Sequence, residues 1–533
     1  MARRESTKVV ELSRRDFLVT TGGALAGMAA FGLTSQAADR KQHPQRGGSL
    51  QYGPHTDVAG LDAHIQNQNQ YHQATAAMYN GLTDIDQRGN IVPSLAESWE
   101  SNKELTAWTF RLRKGVLFHN NRELDAEAVK LNIMRIKDPA IGHEFLRGAL
   151  DTVDSVDVLD TYTLRLNTST PNVSLPSSVM RYPTVLQAPD AFENAANHPI
   201  GTGPFKFVSW TRWNETRLVR FENYWETDAE GYSLPYLAEI IVKPKKEDSV
   251  RLTAMRTGQV HLINTMAQAD IERFQKSYRD KFNTWVFTQG GNFVVFNFRR
   301  GKFQDKRLRT AAAHAIDRNA IHHAVYYGHG AMSDQPYPPG NPWHLEGVRS
   351  LEYDPERAKS ILKEARSTGT EIKLVVNANL TVHRETAQVI QDLWSTVGFK
   401  VTVEALDTVP YREARNEGKF DGMIQGHTYR FDPDDYYFRN LHSKSDYSGS
   451  LSGWQNEKYD RLVEEAKRIV DRAQRKALYT EAWNLVNVEL PFFYLHEISQ
   501  TSAAVKELQG YRPGSSGALS YAGGGLRTAY LAG

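Results

Sequence analysis

The chain has 533 residues, with 64 Lys and Arg against 62 Asp and Glu, 40% hydrophobic and 24% charged residues. That is the composition of a globular protein of roughly two to four domains, and it argues against a disordered, collagenous or coiled-coil chain. Balanced charge speaks against nucleic acid as a partner, and the absence of cysteine removes disulfides, thiolate metal sites, iron–sulfur clusters, a cysteine nucleophile and a lipid-modified cysteine.

At the N-terminus, Ser13-Arg14-Arg15-Asp16-Phe17-Leu18 precedes a mildly apolar run to Leu33, diluted by Gly22, Gly23, Gly27 and Gly32. The run is shorter than the roughly 20 apolar residues that span a bilayer, and it ends at Ser35-Gln36-Ala37, a small-x-small cleavage pattern. The segment resembles a twin-arginine export signal over residues 1–38. Its removal leaves basic and acidic side chains in equal number, so the expected product is a soluble protein beyond the cytoplasmic membrane of a Gram-negative cell.

Gly48 to Tyr52 reads as a strand, followed by turn signals at Gly53-Pro54 and a helix running to Asn80. Trp108 to Leu112 and Thr161 to Asn167 alternate with period two, the pattern of half-buried strands, and between them Asp125 is placed to cap a helix over 126–136. Asp305 caps a helix through Ala315, Asp317 starts a second, and Gly328 ends it. The Pro/Gly-rich stretch Pro336 to Pro342 reads as a surface loop. Lys373 to Val376, a helix over 384–397 with Val389, Leu393 and Val397 on one face, and Phe399 to Ala405 make a βαβ crossover, which forces its two strands parallel and adjacent.

Enzyme motifs are incomplete. His496-Glu497 lacks the second histidine of a zincin helix. Gly201-Thr202-Gly203-Pro204 lacks the third glycine of a dinucleotide fingerprint, and Pro204 has no N–H to offer a phosphate. Gly449-Ser450-Leu451-Ser452-Gly453 has leucine where a nucleophile elbow needs serine. His314, His322, His323 and His329 fall on two helices, and the adjacent pair points about 100° apart, so no metal site, cofactor or catalytic residue is expected. Trp99, Trp108 and Trp225 read as core.

Pro93-Ser94-Leu95-Ala96-Glu97-Ser98-Trp99 and Thr109 to Val116 with Phe118-His119 resemble the signature of the family 5 extracellular solute-binding proteins. So do Gly201 to Phe205, Asn223-Tyr224-Trp225, Phe303 to Arg309, Ala315 to Arg318, Tyr353 to Ala358 and Tyr459-Asp460. These are the dipeptide, oligopeptide, nickel and opine receptors of ABC importers. The resemblance implies an α/β, two-lobed periplasmic-binding-protein fold (type II, cluster C) with an α+β subdomain inserted in the first lobe. Its expected boundaries are 39–84, 186–288 and 501–533 for the first lobe, 85–185 for the insertion and 289–500 for the second lobe. It further implies a monomer that takes a small polar solute between closing lobes and meets ABC permease subunits, after export by the twin-arginine translocase. An exported hydrolase on the same fold, or a sensor or chaperone without a transporter, are the alternatives.

Candidate contacts follow from position. Dipeptide receptors of the family place an aspartate for the ligand ammonium just before an Asp-Pro. Here His427-Thr428-Tyr429-Arg430-Phe431 precedes Asp432-Pro433, and a guanidinium there favours carboxylate or phosphate and repels an ammonium. A general dipeptide receptor is therefore not expected. Tyr429, Arg430 and His427 are the first candidates, the alternative for Arg430 being a pair with Asp432 or Asp434. Asn297 where the chain crosses between lobes, Trp454 in a loop resembling a cleft-facing one, Arg384 opening the crossover helix, and His55 and Asp57 after the first strand complete the set.

Overall fold

The computed structural model describes residues 44–65, 74–180, 184–428 and 430–532. The export signal expected over 1–38 and the candidate Tyr429 lie outside them.

Two strands dominate the architecture. The chain enters with β1 (Ser49–Gly53) and, far downstream, β6 (Phe205–Thr211), β7 (Glu215–Arg220), β8 (Glu239–Val242) and β9 (Leu262–Ile263). It then runs through the 15-residue β10 (Phe282–Phe296), forms β11 (Glu371–Asn377), β12 (Lys400–Leu406) and β13 (Gly422–Thr428), and returns along the 14-residue β14 (Phe492–Val505). These make one mixed ten-stranded sheet in the order β12-β11-β13-β10-β14-β9-β1-β8-β7-β6. β10 and β14 pair antiparallel along nearly their whole length, Phe282 opposite Val505 and Val295 opposite Phe492. One half of the sheet therefore begins on their far end and the other on their near end. The register breaks between Thr288 and Gly290, opposite Ser499 and Ile498, and such a bulge bends the strand that carries it.

A second sheet stands apart, made of β2 (Ala96–Ser101), β3 (Ala107–Leu112), β4 (Val153–Asp160) and β5 (Thr163–Thr168) in the order β2-β3-β5-β4. Its alternation turns Trp108, Phe110 and Leu112 inward against α1 (Ala126–Lys137), which Asp125 caps through the N–H of Ala128. Trp108 donates its indole N–H to Asn172 O at 3.0 Å and is buried, while Trp99, stacked on Phe110, and Trp225 are only half-buried against this core, so the period-two reading holds here and, of the three tryptophans, Trp108 is in the core.

In the second half of the large sheet, β11, the helix α5 (Thr381–Val397) and β12 form the expected crossover, with β11 and β12 parallel and adjacent. Gly398 ends α5 at φ 115°, a conformation glycine reaches without strain. The helix face differs from the expected one. His383, Ala387, Ile390, Trp394 and Val397 are buried, Val389 and Leu393 only flank them, and Trp394 donates to Ala312 O at 2.9 Å. The large indole sets the rotation, because burying it outweighs burying two smaller side chains at the edge. α3 (Lys306–His314) is capped by Asp305 and α4 (Arg318–Ala324) by Asp317. α4 stops at Ala324 rather than near Gly328, with Tyr327 already at φ 53°. The helix expected to reach Asn80 is, in its described part, a short 3-10 turn over Ala74–Met78. α6 (Pro433–Leu441), α7 (Glu457–Ala466) and α8 (Arg472–Glu489) cover the other face of this half with an aromatic core that includes Tyr437, Tyr459, Tyr479 and Trp483. No helix among the described residues is long and apolar enough to cross a membrane.

Candidate functional site

β11 and β12 run parallel, and β13 is parallel to β11. Their carboxyl ends therefore lie along one edge of the second half. β1 and β9 are parallel to each other, and Ile263 at the end of β9 pairs with Ala503 of β14, so their carboxyl ends face back toward that edge. Open α/β sheets bind ligands outside such carboxyl ends. The bulge at Thr288–Gly290 lies at this junction, where Gly290 pairs with Thr428, the last residue of β13.

The loop that leaves β13 carries the principal candidates. His427 is half-buried. Its Nε2 is 3.3 Å from Pro336 O, its Nδ1 is 3.3 Å from the hydroxyl of Tyr494, and its ring lies 4.7 Å from that of Tyr436. Burial pushes its imidazole down to about 3, and the positive charge of Arg430 acts in the same direction. His427 is thus a neutral, aromatic wall rather than a cation. Arg430 is half-buried beside it.

Asp432 and Asp434 each face a cation from outside the loop. Asp432 caps α6 by accepting from the N–H of Asp434 at 3.0 Å, and it receives two bonds from Arg475 at 2.8 and 2.5 Å, with Arg475 only 3% exposed. Asp434 stands 3.5 Å from Lys467 Nζ and accepts from the Ser174 hydroxyl at 3.5 Å. The loop thus carries an arginine, and its first acidic side chain is held bidentately by a cation from α8.

Other candidates take structural places. Asn297 lies past the end of β10, well beyond the junction. Its amide donates to Gly418 O and Phe420 O at 3.0 and 2.8 Å, and its oxygen accepts from Arg299 N at 2.9 Å. With both N–H groups used and the residue fully buried, it bolts loops together and has nothing to offer a ligand. Trp454 is 3% exposed and lies edge-on to Tyr459 in the aromatic core, so it is a core residue rather than a wall of the cleft. Arg384 stands at the β11 edge as expected, but its guanidinium bonds Ala378 O and the Thr381 hydroxyl of its own turn. Asp57 accepts from the indole of Trp210 and from Trp213 N at 2.6 Å, fastening its loop to the β6–β7 turn. His55 lies at the first-half edge, where its Nδ1 meets Asn264 Nδ2 at 2.7 Å and burial lowers its pKa.

Several junction residues went unread in the sequence. Asn292 ties the segment after α4 to α5, donating to Tyr326 Oη at 2.7 Å and accepting from His383 at 3.2 Å. His496 points its Nδ1 at Glu497 O at 2.7 Å and its Nε2 at Nδ1 of His322 at 2.8 Å, while Tyr326 stacks on its ring at 3.6 Å. A carbonyl only accepts, so His496 carries its proton on Nδ1 and His322 donates to it. Burial pushes His383 and His496 each down to about 4. Of the expected histidine group, His322 thus pairs with His496 from outside it, and among the described residues no three His, Asp or Glu side chains converge as metal ligands. The signal for this region was Pro491 to Leu495, an apolar run running straight into His496-Glu497 as a buried strand does.

Residues 90–449 match the model of the bacterial extracellular solute-binding proteins, family 5 (middle). The chain is similar to the heme-binding protein A of Haemophilus influenzae, 26% identical over 456 residues, with 79% of this chain and 82% of that protein covered. It is also similar to the dipeptide-binding protein of Escherichia coli, 25% identical over 479 residues, covering 83% and 87%. Its fold matches the periplasmic binding protein AgaA from A.tumefacien R10, solved with agropinic acid, at a TM-score of 0.75 and 24% identity over 91% of this chain and 99% of that one.

Proposed function

Because the chain belongs to the family 5 bacterial extracellular solute-binding proteins, we propose that it captures a small polar solute bearing a carboxylate or similar anion and delivers it to an ABC-type permease. The names of its relatives cover heme, dipeptides and agropinic acid, so membership alone does not choose the solute. The loop after β13 supports an anion-bearing one. Arg430 stands beside a neutral His427, while Asp432 is neutralised by Arg475. An ammonium seated there meets a guanidinium in a water-poor cleft, an arrangement costing several kcal/mol, whereas a carboxylate gains a forked, charge-assisted partner.

In this reading the two halves of the sheet are the two lobes. The crossings lie at 288/289 and 500/501, beside the bulge, and 85–185 is the insertion in the first lobe. Closure about β10 and β14 excludes water from the solute, and the closed form is what the permease recognises. The protein works as a monomer in the periplasm of a Gram-negative cell, having crossed the membrane by the twin-arginine route, and it catalyses no reaction.

The test has two parts. Native mass spectrometry of protein purified from the periplasm reads the mass of a retained solute. Titration calorimetry then compares unmodified di- and tripeptides with carboxylate-bearing opine-type compounds. Anion-bearing solutes are expected to bind and to lose affinity in Arg430→Ala. Micromolar peptide binding that survives Arg430→Ala refutes the reading.

A further inference from the structure

Glu497 lies on β14 at the junction and takes no part in the chemistry described so far. Its backbone N–H bonds Ala331 O at 2.8 Å, and one carboxylate oxygen accepts from the Thr288 hydroxyl at 2.9 Å. The other oxygen is buried without a hydrogen-bond partner among the described residues, and the residue is 5% exposed. A buried carboxylate answered by one neutral donor is costly, and such groups gather at functional sites.

Its placement is specific. Gly291 pairs with His427 on one side and with Glu497 on the other, and directly paired residues share a face of the sheet. With strands about 4.8 Å apart, the Cα atoms of His427 and Glu497 stand roughly 10 Å from each other. Between them the face of Gly291 is covered by the rings of Tyr494 and His427, 3.1 and 3.2 Å from where a Cβ would be. Arg430 is three residues beyond His427, on the loop that follows β13.

We propose that Glu497 is the cation-accepting pole of the solute site, pairing with a protonated amine or guanidinium of a solute whose carboxylate is held at Arg430. The solute class is then a zwitterion the size of an amino-acid derivative, with its anionic end toward the β13 loop. The inference rests on the solute-binding reading above and adds the second charge. Burial pushes the Glu497 carboxyl up to about 7, opposed by the Thr288 bond, so near pH 7 about half of the molecules hold it neutral. A cationic solute ionises it, and binding releases about half a proton.

The test is a thermal-shift panel at pH 7 of matched pairs, each an N-carboxyalkyl amino acid and its N-acylated counterpart. It is followed by titration calorimetry in buffers of different ionisation enthalpy. Wild type, Glu497→Gln, Glu497→Asp and Arg430→Ala are compared after circular dichroism confirms that each is folded. Amine-bearing members are expected to bind wild type with release of about half a proton and to lose about 30-fold in affinity in Glu497→Gln, where the release vanishes. Their acylated counterparts change by less than about threefold, and Glu497→Asp keeps the proton release. Equal binding of both members to wild type and Glu497→Gln overturns the proposal, as does a panel in which no amine-bearing compound binds. If Arg430→Ala leaves every affinity unchanged while Glu497→Gln does not, the reading of Arg430 fails and that of Glu497 stands.

Discussion

Replacing Asp432 with alanine tests the physical basis of the loop. The substitution removes two things. One is the N-cap bond to Asp434 N, for which such losses cost about 1 kcal/mol. The other is the bidentate partner of Arg475, whose charge is then left 3% exposed with its carboxylate gone, a break that costs about 3–5 kcal/mol. The sum is about 4–6 kcal/mol, carried by the second half of the molecule. For a cooperative unit of that size each kcal/mol moves Tm by about 2–4 °C, so calorimetry should show a drop of about 10 °C or more. Urea titration gives the free energy directly through a lower midpoint at unchanged slope. Asp432→Ser keeps a capping oxygen and separates the two contributions, losing only the charge pair. Arg475→Met combined with Asp432→Leu removes both charges and should recover much of the loss. A cost below about 1.5 kcal/mol for Asp432→Ala would mean that Arg475 finds water or another anion, and that Asp432 is not neutralised as described.

Three further outcomes are expected. His427, His383 and His496 have folded pKa values of about 3, 4 and 4, below the ordinary 6.5, so the unfolded chain binds their protons first and stability falls as pH drops from about 6.5 toward 4. His496→Gln should reduce that acid-side slope by one proton, read from urea midpoints at several pH values, and an unchanged slope counts against a neutral His496. Gly290→Ala places a Cβ 1.6 Å from the carbonyl oxygen of His427, which is backbone and has no way to swing aside. The expected result is loss of the β10–β13 pairing near the junction and a lower Tm, whereas a melting curve like wild type contradicts the close approach. Finally, changing Arg14 and Arg15 to Lys should hold the precursor in the cytoplasm, and fractionation showing complete periplasmic delivery refutes the twin-arginine assignment.

Local rules made much of the fold legible. Asp125, Asp305 and Asp317 announce helix starts because their short carboxylates satisfy free N–H groups, and each forms a cap. The β11–α5–β12 crossover follows from periodicity and short turns alone. The rotation of α5 does not, because it depends on Trp394 finding Ala312 O across the sequence. The candidate contacts fared according to how local their surroundings are. Asn297 looks available in the sequence, yet loop carbonyls more than a hundred residues away consume its amide. Asp432 looks like a helix cap and is one, but its second partner, Arg475, comes from another helix. Glu497 hides for the converse reason. It ends an apolar run that reads as an ordinary buried strand, and only the register against Gly291 gives it a neighbour on the solute side.

The ordering of strands in the large sheet also bears on when this protein is able to fold. β9 pairs with β14 and β1 with β9, and the buried Arg527 reaches Asp84 and Glu226. Elements from the two ends of the chain, more than 400 residues apart, therefore complete one another. A nascent chain that has emerged only as far as residue 490 still lacks the strand on which β9 and β10 close. The first half of the sheet is topologically unable to finish before residues 492–505 are made, and loop closure over that separation makes the step slow. Until then the exposed edges of β9 and β10 are sticky surfaces, so a chaperone binding the unfinished chain would find its strongest hold there, and release would await β14.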